Sequence, residues 1–437
     1  ELIHSARNIS CFDPIPLRPR PCPPALVSSI AGRESEKTGV FVIEDVYQSQ
    51  QPIPRGSVKE MRINQILPQP TSSAPVRSAA DNEIVKKILG TVPVEPDGSV
   101  AFEAPAGRPF QLQLLDANGM ALMTMRSLVY LQPGEQASCV GCHEPRNSTP
   151  PSRPPANPKI RQITPPIAQD YAGGFSFAGT VQPVLDRYCV GCHSGDKAPR
   201  NISLVGDYRD AELWTKRGKN RKRSWTLSYE SLLAAGVLRV APRNGESYPS
   251  KPMDYFAHAG KLAKMLLAGH PDKEGKKRVE LDRASLRRII DWLDVNAQFY
   301  GDYSFNRVSD LPPVQAGVEA LRKAVRERFG DELADQPLAL LVNVVNVDES
   351  RILMAPLSVQ AGGWGQVQRG AYKDRNDPAY AQMRKLVEGV IPQPQAHEIA
   401  GTCGRDNGCR CGTCWVRKEG AARPIPPAEP AKTVAGK

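Results

Sequence analysis

Val181-Gln182-Pro183-Val184-Leu185-Asp186-Arg187-Tyr188-Cys189-Val190-Gly191-Cys192-His193 is the most informative stretch of this chain. Val181, Val184, Leu185 and Tyr188 recur at helical spacing, which predicts a helix running into the two cysteines. The last five residues read C-x-x-C-H, the attachment signature of c-type haem. The spacing has a chemical reason. Two thiols one turn apart form thioethers to the vinyl groups of one porphyrin, and the adjacent histidine falls beneath the iron as an axial ligand. The same pentapeptide stands earlier, as Cys139-Val140-Gly141-Cys142-His143. At this chain's own Cys and His frequencies one chance match is expected in roughly 0.3 % of such sequences, so two independent chance matches are negligible. Two covalently attached haems are the expected cofactors. A redox disulfide or half of a zinc site are the competing readings of a C-x-x-C pair, more so at the first motif, which follows strands.

A low-spin haem takes a second axial ligand, normally His or Met. Outside the two motifs stand His4, His258, His270 and His397. His270 closes a helical stretch at Ala268-Gly269-His270, where the chain could turn its imidazole toward an iron. The order of preference is His270, His258, then Met265 or Met253. A surface or capping role is the alternative for each.

Outward from the motifs, strand signals dominate upstream. Val40–Tyr47, Met61–Leu67, Ser99–Glu103, Phe110–Leu115 and Met120–Leu131 are short and partly alternating, with turn signals at Pro96-Asp97-Gly98 and Asn118-Gly119. Helical signals dominate downstream: Tyr255–Leu267, the stripe Leu286, Ile289, Ile290 and Leu293 after an N-cap at Asp282, then Val318, Leu321 and Val325, and a last helix opened by Asp377-Pro378 with Tyr380, Met383 and Val387 on one face. The expected fold is α+β: a small β-rich, sandwich-like domain followed by a mainly α-helical, cytochrome c-like domain, with much irregular loop. The boundaries read as an irregular opening segment at 1–35, the β-rich domain at 36–147, a Pro-rich linker at 148–170, the helical domain at 171–335, a helical extension at 336–400, a Cys-rich knuckle at 401–420 and a disordered tail at 421–437.

The 437 residues carry 57 basic and 46 acidic side chains, a net charge of +11, and 41 prolines. That balance permits acidic partners and excludes wholesale disorder. The basic run from Lys216 to Arg223 could steer an acidic redox partner, although a solvated loop explains it as well. No aromatic platform accompanies the charge, so nucleic acid is not an expected partner. The longest apolar stretch, Leu338–Val347, is interrupted by Asn343 and is too short to span a bilayer. The chain opens on Glu1 without a visible signal peptide, which suggests processing or a fragment. Cys403, Cys409, Cys411 and Cys414 could hold a structural zinc or pair into two disulfides, with an iron–sulfur cluster as a third option. Cys11 and Cys22 suit a disulfide. No hydrolase or nucleotide-binding motif is present.

Several segments carry a family resemblance. They are Gly90–Ser99, Met125–Glu135, Ser138–Glu144, Val181–Tyr188, and Ala355-Pro356-Leu357 through Ala361-Gly362-Gly363-Trp364-Gly365. Together they resemble the hydrazine synthase alpha-subunit-like proteins of planctomycetes and related bacteria, over roughly residues 10–400. The resemblance implies a periplasmic setting and an upstream β-propeller, of which Ser10–Pro24 looks like the exit. Hydrazine synthase joins ammonia and nitric oxide at haem centres. In the family, a tyrosine shortly after the first motif holds the catalytic haem, and the motif histidine binds zinc. Here Glu144-Pro145-Arg146-Asn147-Ser148 follows His143, and the next tyrosine is Tyr171. Iron and zinc thus stay open for His143. The family's second haem has two histidine ligands, a role that fits His193 with His270 or His258. Two function classes follow. One is an oxidoreductase whose first haem acts on a small molecule while the second passes electrons. The other is a non-catalytic electron carrier or cytochrome module of a larger complex. A dihaem peroxidase is a weaker third reading. The discriminator is whether the first haem keeps an exchangeable site.

Overall fold

The computed structural model of the chain describes residues 31–67, 85–125, 127–142, 158–167, 174–195, 198–213, 221–241, 251–301 and 313–392. His4, Cys11, Cys22, His143, Tyr171, His397, the cysteines from Cys403 to Cys414, the tail, and residues 148–157 and 168–170 of the linker lie outside the described residues.

Two four-stranded sheets build the first half. One holds β1 (Thr38–Ile43), β4 (Val100–Pro105), β7 (Gln136–Cys139) and β8 (Ile160–Arg161), in the order β7-β1-β4-β8. The other holds β2 (Glu60–Ile66), β3 (Lys86–Pro93), β5 (Phe110–Leu115) and β6 (Ala121–Thr124), in the order β3-β2-β5-β6. The alternation of β1 turns Phe41 and Ile43 inward, onto Phe102 of β4 and Met61, Ile63, Phe110 and Leu114 of the second sheet. Phe41, Phe102 and Phe110 form an aromatic triangle with ring centres 5.7–6.1 Å apart. The turn at Asp97-Gly98 is held by Asp97, whose Oδ1 accepts from Ser99 N at 2.9 Å.

Three readings of this half are corrected. Met120–Leu131 is a strand only over Ala121–Thr124. The strand Lys86–Pro93 was not foreseen, because Gly90 interrupts its pattern. Part of the expected linker joins the sheets: β8 pairs parallel with β4, and Thr164 bridges Thr91.

The second half is helical. A π-helical turn, Phe177–Val181, leads into α1 (Gln182–Tyr188), with Ser176 capping the turn. Then come the β9–β10 hairpin (Tyr208–Leu213 and Arg221–Thr226), α2 (Leu227–Ala234), α3 (Phe256–Ala259), α4 (Lys261–Leu267) and α5 (Arg283–Asp294). The hairpin puts Arg221–Arg223 of the basic run on a strand; Lys216–Asn220 lie outside the described residues. Asp282 caps α5 by accepting from Ser285 N, as its sequence position predicts. The expected helix Tyr255–Leu267 is broken in two at Gly260, where backbone carbonyls of Phe256 and Val237 leave little room for a side chain.

The core of this half packs Phe177, Trp225, Tyr229, Trp292 and Phe299 around the apolar face of α1. A third core lies between the helices Gln315–Phe329 and Pro378–Val390, with Ile352, Leu353 and Leu357. The boundary read at 335 therefore moves: the helix Gln315–Phe329 packs with the residues after it. Among the described residues, no helix is long and apolar enough to cross a membrane.

Candidate functional site

The second C-x-x-C-H closes α1. Cys189 N donates to Leu185 O at 2.8 Å and His193 N to Cys189 O at 2.9 Å, so the motif continues as a single helical turn. That turn brings Cys189 and Cys192 to one side, with His193 next to them. Both cysteines are free thiols. Burial pushes the Cys189 thiol up to about 12, with Asp186 adding to the shift. Cys192 is exposed.

His193 is fixed by one contact. Its Nδ1 lies 2.9 Å from Ile202 O. A carbonyl only accepts, so Nδ1 carries the hydrogen and Nε2 keeps its lone pair for a metal. His270 faces it, with ring centres 6.3 Å apart and the planes inclined by 46°. Two imidazoles binding one metal ion from opposite sides, each nitrogen about 2 Å away, have ring centres about 6 Å apart. The pair thus has the separation that one shared iron requires. His270 itself adopts φ +47°, following Gly269 at φ +80°. A non-glycine residue in that region is uncommon and is often held there for a function. A side chain on Gly269 would meet Lys277 at 2.7 Å.

His258 does not share this arrangement. It sits in α3 with Nε2 3.3 Å from Asp116 Oδ2, on the β5–β6 turn of the sandwich. That places His258 at a contact between the two halves. Met253 is exposed, at φ +66°. Met265 packs on the helical core, and its carbonyl accepts from His270 N.

The first motif has a different support. Cys139 ends β7 and pairs with Ile43 of β1. The motif then runs along Glu44–Gln48: Glu44 N donates to Cys139 O and Asp45 N to Val140 O, both at 3.1 Å, and Cys142 N donates to Gln48 O at 2.9 Å. Cys139 and Cys142 are half-buried against the sandwich core. Beside them, buried Asp45 pairs with Arg55. Sequence reading missed Ile202, whose contribution is a backbone carbonyl with no residue signature, and Asp45, which no motif marks.

The architecture is that of a β-sandwich carrying one cysteine–histidine motif at the end of an edge strand, joined to a helical half that carries a second. Residues 56–144 match the hydrazine synthase alpha subunit middle domain, a span that takes in β2–β7 and the whole first motif. By that domain the chain is hydrazine-synthase-alpha-like. A solved structure, Kuenenia stuttgartiensis hydrazine synthase, is similar at 18% identity and a TM-score of 0.44, over 62% of this chain and 44% of that one. This chain thus spans less than half the length of that structure. No curated protein matches.

Proposed function

We propose that this chain is a dihaem c-type cytochrome of the hydrazine-synthase-alpha type, working outside the cytoplasm, whose second haem passes electrons. The facing pair of His193, the histidine of the second C-x-x-C-H, and His270 carries the reading. Cys189 and Cys192 would supply the thioether sulfurs, His193 the proximal nitrogen and His270 the distal one. A haem held by these residues would supply reversible one-electron transfer. Ile202 keeps His193 in the ligating tautomer. The helical core of α1, α4 and α5 excludes water from the buried side of the motif. Lys273, Lys276 and Lys277 are exposed on the loop that carries His270, which suits an acidic redox partner.

Cys139 and Cys142, with His143, would hold the other haem, since they repeat the same pentapeptide. That haem is the place for chemistry on a small molecule if it keeps an exchangeable position. Periplasmic location follows from covalent haem, which is attached outside the cytoplasm.

The test is electron paramagnetic resonance of the ferric protein, produced with cytochrome c maturation, together with a haem count per chain. Two haems are expected, one of them low-spin and converted to high-spin by His270→Ala but not by His258→Ala. A single haem, or a low-spin signal unaffected by His270→Ala, overturns the assignment. A high-spin signal from the other haem marks it as open to substrate; a second low-spin signal marks the protein as an electron carrier.

A further inference from the structure

We infer that Arg200 and Asn201 are the positioning residues of His193: their left-handed turn aims the Ile202 carbonyl at its imidazole. What this means for the second haem rests on the function proposed above. The two residues stand side by side at φ +57° each, with ψ 25° at Arg200. A residue with a side chain is uncommon in that region, and of these two types only asparagine is enriched there. Two in succession, neither of them glycine, mark a backbone held against its own preference. Both side chains are exposed, so the conformation is set through the main chain.

The main-chain bonds show what the turn delivers. Asn201 N donates to Ala198 O at 2.9 Å, and Ile202 N donates to Pro199 O at 3.1 Å. The second bond closes a turn with Arg200 and Asn201 at its centre, and a turn of this hand requires φ > 0 at both central positions. Past it the chain runs back along His193 and is tied to it twice. Leu204 N donates to His193 O at 2.8 Å, and His193 Nδ1 donates to Ile202 O at 2.9 Å. Ala198 before the turn and Leu204 after it are both buried. With its two ends anchored, the segment leaves the reversal to Arg200 and Asn201. The opposite hand of turn would send Ile202 away in another direction and take its carbonyl off the ring.

The partner of the imidazole is a main-chain carbonyl, which no side-chain replacement at position 202 removes. The turn is therefore the part of the sequence that controls it. Kept as a donor at Nδ1, the ring presents the lone pair of Nε2, the nitrogen that would serve as the proximal ligand. A hydrogen bond from Nδ1–H also makes an imidazole a stronger electron donor. The turn should thus hold the second haem at a more negative reduction potential than a freely rotating His193 would.

The experiment uses the haem-loaded full chain and two readouts. Nitrogen-15 NMR of the ferrous protein reports whether His193 Nδ1 carries a hydrogen protected from exchange, and a potentiometric titration reports the potential of the second haem. Valine is an outlier at φ +57°, whereas Asn-Gly is the pair that such a turn prefers. The double variant Arg200→Val with Asn201→Val is expected to lose the protected Nδ1–H and to shift the potential to a more positive value, with haem content unchanged. The double variant Arg200→Asn with Asn201→Gly, which keeps the turn without the native side chains, is expected to match the wild type in both readouts. A valine variant that retains both overturns the inference. So does an Asn-Gly variant that loses them, because the effect then lies in the side chains. Should the valine variant not fold, Asn201→Ala is the milder test: several-fold faster exchange of Nδ1–H is expected, and an unchanged rate overturns the inference. A wild type with haem on the second motif but no protected Nδ1–H sinks the turn's role alone. A wild type without that haem sinks the proposed function alone, because the Nδ1–H readout does not require it.

Discussion

At the scale of the residue, Asp186 shows how much a helix can hide beside the second C-x-x-C-H. It lies three positions before Cys189, 5 % exposed, and its Oδ1 accepts from Gln182 Nε2 at 2.8 Å. Gln182 in turn accepts from Ser228 Oγ at 2.5 Å and donates to Leu204 O at 3.0 Å. Burial pushes the Asp186 carboxyl up to about 7, against the opposing pull of the Gln182 hydrogen bond and the Arg351 charge. A carboxyl raised in the folded state favours folding while it is protonated. Its contribution is complete below the unfolded value near 4 and is lost as pH rises through about 7. Stability should therefore decline between those limits by up to about 1.4 kcal/mol per pH unit from this group. Urea unfolding across that range should show a flatter slope for Asp186→Asn. An unchanged slope means the carboxyl ionises as it would in water. The sequence placed Asp186 on the helix but not in its core, because a charged residue among apolar neighbours reads as solvent-facing.

The two copies of one pentapeptide separate at the scale of the element. In the first, a Cβ on Gly141 would lie 2.1 Å from Gln48 O, because the motif runs hard against the Glu44–Gln48 backbone. In the second, a Cβ on Gly191 meets nothing within 4 Å. Gly141→Ala should destabilise the sandwich by about 1–3 kcal/mol, and Gly191→Ala should stay within about 0.5 kcal/mol of wild type. Thermal melting of the two variants compares them directly; equal effects would contradict the packing described here. Sequence pattern alone treats the two glycines as equivalent. The same limit explains the missed strand β3. Gly90 sits at φ +145°, at the irregularity between Ile63 and Asn64 of β2, with Thr164 O only 2.0 Å from where its Cβ would be. A glycine needed for a close approach interrupts the alternation that identifies a strand. Phe110–Leu115 and the capped α5 were legible because their periodicity is unbroken.

At the scale of the whole molecule, the second sheet is covered on both faces. Met61 and Ile63 of β2 face the sandwich core, while Arg62 and Asn64 between them are buried on the other side. Arg62 is fully buried and pairs with Asp291 at 2.5 Å and Asp294 at 3.0 Å, both on α5. It also donates to Gln113 Oε1 at 2.9 Å and Gly119 O at 3.0 Å. Asp294 Oδ2 further accepts from Ala121 N at 2.9 Å, and Gln113 Nε2 donates to Asp294 O at 2.8 Å. Removing one partner of such a buried pair leaves an uncompensated charge, so Arg62→Ala should cost about 3–5 kcal/mol in denaturant unfolding. A loss under 1 kcal/mol would mean the two halves do not depend on this junction. Gln298 adds a second tie, donating to Lys86 O at 3.1 Å and Phe175 O at 2.6 Å.

The sequence by itself determined what local chemistry encodes: the two C-x-x-C-H motifs, the helix that presents the second, the capped helices, most strands and the α+β order. These rest on neighbours a few positions apart, where spacing and backbone geometry are tightly coupled. Only the tertiary structure decided which histidine faces His193, that His258 turns instead to Asp116, and that the polar face of the second sheet is covered by α5. It also drew the helix Gln315–Phe329 into the third core. Those outcomes depend on contacts between segments far apart in the chain. Alternation distinguishes the two faces of a strand but cannot say what lies against the polar one, and a lone histidine carries no mark of the side chain it will face.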